Sequence, residues 1–172
     1  FIDDNNLTVS DTNLFNIEDP SSGTAPDRYE EFRFEGIEVV GRWSHSVTVS
    51  VQTPHIFTLR NFKEVNIESS KYTDILGILC RIRNCGKVRF HNNTVLRGNR
   101  GAMSPLYNID NGFVIDCDFI GSGDDIISIN PKIDGDEFVA ANVTISNCSF
   151  FAVQGVLQLG AKNLTFTGNR MN

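Results

Sequence analysis

The sequence lacks the features that would place it in several common classes. No apolar run approaches the roughly 20 residues that a membrane-spanning helix requires, and no targeting segment is evident at the N-terminus. Basic residues are outnumbered, with 15 Lys and Arg against 21 Asp and Glu, so the formal net charge is −6. Because nucleic acids and anionic lipid surfaces bind basic faces, this balance argues against either partner.

Residues that favour helices are also scarce. The chain contains 6 Ala and 10 Leu, against 16 Ile, 14 Val and 11 Thr. β-Branched side chains suit a pleated surface and lose rotamer freedom in helices. The 18 Asn and 14 Gly tolerate the left-handed backbone of tight turns. We therefore predict an all-β fold of many short strands, in one domain over residues 1–172.

The four cysteines form no CxxC pair. They are Cys80, Cys85, Cys117 and Cys148. Their spacing is poor for structural zinc, so no metal site is expected from them. Buried free thiols are one interpretation, and disulfides in a secreted protein are the other.

One phrase recurs along the chain: apolar, any, apolar, any, Asn or Gly, any, any, apolar. The clear copies are Val88–Val95, Val143–Phe150 and Leu164–Met171; weaker copies are Leu7–Leu14, Phe32–Val39 and Val65–Tyr72, and Phe113–Phe119 is one residue short. The copies are spaced by 21 to about 27 residues, and the apolar period inside each copy is two. This periodicity predicts a solenoid whose coils are made of strands, and it excludes a helical repeat.

Stacked coils place equivalent residues about 4.8 Å apart. We therefore predict one interior column of Val95, Phe119, Phe150 and Met171, and we predict that Cys117 and Cys148 are stacked neighbours. The fifth position of each copy is expected at a sharp bend. Asn92, Asn147 and Gly168 occupy it, and both residue types adopt left-handed backbone at low cost.

This pattern resembles the right-handed, single-stranded parallel β-helix of the pectin-lyase-like superfamily. The resemblance covers nearly the whole chain, with about seven coils, and it alone implies the right-handed sense. Solenoid ends need covering, and neither end of the sequence shows an obvious cap. We therefore expect the chain to be a segment of a longer β-helix, with further coils or domains of the same protein as partners.

Two adjacent carboxylates provide the sharpest local signal. They lie in SGDDIISI, Ser122–Ile129, where Asp124 and Asp125 enter a predicted strand. Asp is disfavoured in strands, so two successive aspartates at this point need a structural or functional explanation. The repeat predicts a stack of Gly77, Gly101, Asp125 and Gly155, beside a column of Leu76, Arg100, Asp124 and Gln154.

This arrangement suits glycoside cleavage. Glycines above and below Asp125 would leave space for a ligand, and Arg100 could hold a carboxylate ionised or bind an acidic substrate. Close carboxylates separate in pKa, which yields one general acid and one general base. The alternative is structural, because aspartates at a solvated turn also cap backbone N–H groups.

GSGDDIISI is similar to the GDD-plus-strand motif of the polygalacturonase family, which is inverting. The resemblance implies Asp124 as the general acid and Asp125 as a residue that activates water. Arg100-Gly101 and Gln154-Gly155 stand where that family has Asn-Thr-Asp and Gly-His-Gly, and its Arg-x-Lys motif is not found. NRGAMSP, GDDIISI and QGVLQLGAKNLTFTGN also resemble the β-helical exo-α-galactosidases, which pair a GDD-type motif with an Arg-Gly column.

We therefore expect a secreted or periplasmic glycoside hydrolase with a carbohydrate substrate and no cofactor. Asp124 and Asp125 are the expected catalytic residues, and Arg100, Gln154 and Arg97 the substrate-binding residues. One alternative is a lyase acting on acidic polysaccharide through Lys87, Arg97 or Arg100. Its calcium would be held by oxygens of Asp116, Asp118, Asp124 and Asp125. The other alternative is a non-catalytic stem, like that of a tailspike or adhesin, which binds glycans or spaces other domains.

Overall fold

The computed structural model describes residues 15–17, 29–41, 55–75, 77–98, 103–129, 132–133, 136–137, 140–158 and 160–172. Within these ranges the chain forms sixteen strands and no helix, as the composition predicts. The strands are β1 (Phe15–Ile17), β2 (Tyr29–Glu35), β3 (Glu38–Val40), β4 (His55–Arg60), β5 (Phe62–Glu68), β6 (Lys71–Ile75), β7 (Ile78–His91), β8 (Thr94–Gly98), β9 (Met103–Ile115), β10 (Asp118–Ile129), β11 (Lys132–Ile133), β12 (Asp136–Glu137), β13 (Ala140–Ser146), β14 (Ser149–Gln158), β15 (Ala161–Thr167) and β16 (Arg170–Met171).

Fourteen of the described strands form one sheet, and its described pairings are all parallel. Paired residues are 21 apart in sequence at β13 and β15, and 42 apart at β1 and β4. The two remaining strands, β11 and β12, pair with each other in antiparallel fashion. Parallel strands that pair must be joined by a crossover connection. The chain here repeatedly comes back to pair in parallel with an earlier strand, which is compatible with a parallel β-helix.

The paired strands divide into three ladders. Ladder A contains β2, β5, β13, β15 and the C-terminal halves of β7 and β9. Ladder B contains β3, β6, β8, β16 and the N-terminal halves of β10 and β14. Ladder C contains β1, β4, the N-terminal halves of β7 and β9, and the C-terminal halves of β10 and β14.

Left-handed residues mark the corners where the chain passes between ladders. The predicted bend residues Asn92, Asn147 and Gly168 have φ angles of 52°, 56° and 66°, which confirms that prediction. The column between ladders A and B comprises Gly36, Ser69, Asn92, Asp116, Asn147 and Gly168. The column between ladders C and A comprises Asn61, Asn84 and Asn108. The column between ladders B and C comprises Asp74, Arg97 and Gly121. Each ladder therefore ends at a corner column of its own.

Replacing Asn92 with Val is expected to lower the free energy of unfolding by about 1–2 kcal/mol, because a β-branched residue is strained at positive φ. The Asn92 side chain is exposed and donates only to Ser69 Oγ, at 3.2 Å. Asn92→Gly is the matched control and should stay within about 0.5 kcal/mol of the parent in urea unfolding. Equal stability of the two variants would contradict the role assigned to this corner.

The pairing of ladder B confirms the predicted column, and the interior position is confirmed for Val95, Phe119 and Phe150. Phe119 pairs with both Val95 and Phe150, and Phe150 pairs with Met171. Phe119 and Phe150 are buried, whereas Met171, in the last described pair, is exposed. Aromatic rings from ladders A and B stack in a near-parallel run through the interior, with neighbouring centroids 5.3–6.4 Å apart. The run comprises Phe34, Tyr72, Phe90, Phe119, Phe150 and Phe166.

The residue after the bend between ladders A and B forms a second interior column. Cys117 and Cys148 are neighbours in it, as predicted, because the N–H of Ser149 donates to the Cys117 carbonyl at 2.9 Å. All four cysteines are free and buried, and burial raises the pKa of the Cys117 and Cys80 thiols far above the usual range. Buried free thiols are therefore the interpretation that the structure supports.

Candidate functional site

The paired aspartates lie in β10, just after the corner at Gly121. Asp125 pairs with Gly155 of β14, as the repeat predicts, and Ser122 pairs with Val153. Between these two pairs, two residues of β10 lie opposite one residue of β14, so the register shifts between Ser122 and Asp125. This is a β-bulge, a feature that is over-represented next to active sites because it redirects side chains. The structure describes the backbone here, and the side chains of 122–125 lie outside the description.

The predicted substrate-binding residues are placed only in part. Gln154 directly precedes Gly155 in β14, so the pairing brings its backbone beside that of Asp124. The Gln154 side chain and the whole of Arg100 lie outside the described residues. The predicted column of Arg100, Asp124 and Gln154 therefore stays a prediction.

Gly77 lies one residue out of the predicted stack. Cys80 pairs with Met103, and Met103 pairs with Ile127, so these three residues form one column of ladder C. Gly77 is three residues before Cys80, whereas Asp125 is two residues before Ile127. By this register Ile78 shares the column of Asp125.

Arg97 forms an ion pair with Asp74. Its guanidinium donates two hydrogen bonds to the Asp74 carboxylate, from Nε at 2.6 Å and from Nη2 at 2.9 Å. These hydrogen bonds raise the pKa of Arg97. The residue stands at a corner between Asp74 and Gly121, half exposed. Substrate binding by Arg97 would require this ion pair to open, and it stays a prediction.

One cation and one calcium ligand of the lyase alternative, Lys87 and Asp116, have other contacts. Lys87 Nζ donates to Glu64 Oε1 at 2.6 Å, and this hydrogen bond lowers the pKa of the Glu64 carboxyl. Asp116 Oδ2 lies 3.3 Å from His91 Nε2. Among the residues that the structure describes, no group of three His, Cys, Asp or Glu side chains could hold a metal ion.

A basic cluster that was not predicted from the sequence lies on the outer face of ladder C. Arg60 pairs with Arg83, and Thr58 pairs with Arg81. The intervening residues Phe57, Leu59 and Ile82 are buried in the core, so the alternation of strands places the cluster on the opposite face. The signal was present in IFTLR and LCRIR, 23 residues apart, which alternate in the same phase.

Comparison with known proteins gave no match to a family model, to a curated protein or to a solved structure. Within the described ranges, no helix has the length and apolarity to cross a membrane. The geometry of ladders B and C is therefore the basis for a functional assignment.

Proposed function

We propose that the chain is a right-handed, single-stranded parallel β-helix of about seven coils, similar to the pectin-lyase-like superfamily. Parallel pairing along three ladders and left-handed residues at three corners support this architecture. The handedness is supported by the strong general preference for right-handed crossovers between parallel strands.

On this scaffold the proposed activity is glycoside hydrolysis by an inverting, two-carboxylate mechanism. The observation that carries it is the bulge at the aspartate pair, with Gly155 opposite Asp125. Glycine has no side chain to fill the space beside a carboxylate, and the bulge changes the direction of the residues it contains.

In the proposed reaction Asp124 protonates the leaving oxygen and Asp125 activates the attacking water. Arg100, Gln154 and Arg97 would bind the sugar, and the chemistry needs no cofactor. The protein would act in a secreted or periplasmic location, where polysaccharide is available. The lyase and the non-catalytic stem are the competing assignments.

Asp124→Asn and Asp125→Asn should each reduce hydrolysis of a responsive glycan by at least 100-fold, because each removes one proton-transfer group. The assay is the release of reducing ends from a panel of neutral and acidic oligosaccharides, with the product anomer read by NMR. Asp110→Asn, an exposed aspartate on β9, is the matched control and should leave turnover unchanged.

Three results would contradict the hydrolase assignment. Unchanged turnover in both variants would remove the role of the aspartate pair. Products that absorb in the ultraviolet would indicate elimination and hence the lyase. Absence of turnover on the whole panel would favour the stem.

A further inference from the structure

In the cluster Thr58, Arg60, Arg81 and Arg83, the charges of Arg60 and Arg81 are not balanced by any described carboxylate. The chain as a whole carries a net charge of −6, yet three arginines occupy adjacent positions on two paired strands. Several cations elsewhere on the described ladders pair with carboxylates. Such pairs are Lys71 with Glu38, Lys87 with Glu64, and Arg97 with Asp74. Within the described residues, neither Arg60 nor Arg81 forms an ion pair.

Polar atoms of this cluster are buried without partners. The Nε atoms of Arg60 and Arg81 are shielded from solvent and have no hydrogen-bond acceptor. Thr58 is only 3% exposed, and its Oγ1 also has no partner. A buried donor that is left unpaired costs free energy, and a charged donor costs more. An acceptor supplied from outside the chain would relieve that cost.

The positions of these side chains converge on one small area. Directly paired residues have Cβ atoms about 5 Å apart, and alternate residues on one strand about 7 Å apart on the same face. The three arginines are partly exposed. Rotation about the outer side-chain bonds can turn each Nε–H toward an anion held there, which forms the fork geometry that guanidinium groups use for oxyanions.

We propose that Thr58, Arg60, Arg81 and Arg83 form a binding site for a dianionic tetrahedral oxyanion, a sulfate or phosphate group, on the outer face of β4 and β7. Arg60 and Arg81, which form no ion pair among the described residues, carry two positive charges, and a dianion offsets both where a carboxylate offsets one. The group is either a free ion or an ester carried on a glycan. The site does not depend on hydrolysis at β10, which is a separate part of ladder C.

The test is calorimetric titration of the full chain with inorganic sulfate and phosphate at constant ionic strength. Arg60→Gln and Arg81→Gln should each weaken sulfate binding by at least tenfold. Arg33→Gln is the matched control, since Arg33 already pairs with Glu35 and should leave binding unchanged. Arg81→Lys keeps the charge and should still weaken binding, because a lysine cannot present two donors in one plane. Asp124→Asn should bind sulfate as the parent does, whether or not the chain hydrolyses glycans.

Titration with a sulfated oligosaccharide distinguishes the two sources of the anion, an ester on a glycan and a free ion. A sulfated oligosaccharide that binds at least tenfold tighter than inorganic sulfate, and loses that gain when desulfated, identifies an ester on a glycan. Equal binding of the two identifies the free ion.

The proposal is overturned if the parent binds none of these anions, if acetate binds as tightly as sulfate, or if Arg33→Gln weakens binding as much as Arg60→Gln. Thr58→Val, which conserves volume at a buried position, gives a second measure: unchanged affinity in a folded variant would remove the hydroxyl from the site.

Discussion

Phe150→Ala is expected to lower the free energy of unfolding by about 3–5 kcal/mol. Phe150 is 1% exposed and stacks on Phe119, with ring centroids 5.3 Å apart, and on Phe166 at 6.2 Å. Removal of the ring loses the transfer free energy of the buried surface and leaves a cavity that a parallel ladder cannot close without breaking its register. The stacking contacts are lost in addition. Urea unfolding followed by circular dichroism measures the change.

The control for this prediction is the next residue in the chain. Phe151 is 51% exposed, because successive side chains of a strand point to opposite faces. Phe151→Ala makes the same chemical change on the outside of β14 and should cost no more than about 0.5–1 kcal/mol. Similar losses in the two variants would contradict the assignment of inner and outer faces on ladder B.

Asn93→Ala is expected to destabilise the protein by about 3 kcal/mol or more. Asn93 is 1% exposed. Its Oδ1 accepts from the N–H of Ser70 at 3.0 Å, and its Nδ2 donates to the carbonyls of Ile67, at 2.7 Å, and His91, at 3.0 Å. Each lost hydrogen bond costs about 1 kcal/mol, and a backbone group left buried without a partner costs more.

Asn163→Ala provides the comparison on the surface. Asn163 is exposed, and its Nδ2 donates to Asn142 Oδ1 at 2.9 Å. Water replaces that hydrogen bond, so a loss below about 0.5 kcal/mol is expected in the same urea experiment. If Asn93→Ala were as mild as Asn163→Ala, the buried amide would not be holding the bend between ladders A and B.

The sequence predicts the part of the fold that is formed by the copies of the repeated eight-residue phrase. The interior column of Phe119 and Phe150, and the bends at Asn92 and Asn147, follow from a copy of eight residues in which apolar positions alternate. The other two corner columns were not predicted. Their members lie outside the repeated phrase and include Arg97, whose residue type does not by itself indicate left-handed backbone.

The candidate site was predictable to the level of the backbone. Pairing of Asp125 with Gly155 follows from the spacing, whereas the one-residue offset of Gly77 does not, because the spacing cannot locate an extra residue within a coil. The partner of Arg97 was missed for a related reason: Asp74 becomes its neighbour only when the corner between ladders B and C is known. The arginine cluster was missed because Arg60 and Arg83 belong to strands outside the repeated phrase.

The unequal sequence separation of paired strands has a consequence for what this protein can vary. Strand partners are 21 residues apart at β13 and β15 but 30 apart where Asp125 meets Gly155, and the antiparallel strands β11 and β12 account for part of the difference. The additional residues therefore lie in the connection between two paired strands, and the strands on either side of it remain paired in parallel. Such connections can change in length and sequence while the order of the paired strands stays the same. New binding loops can therefore be acquired without changes to the buried columns.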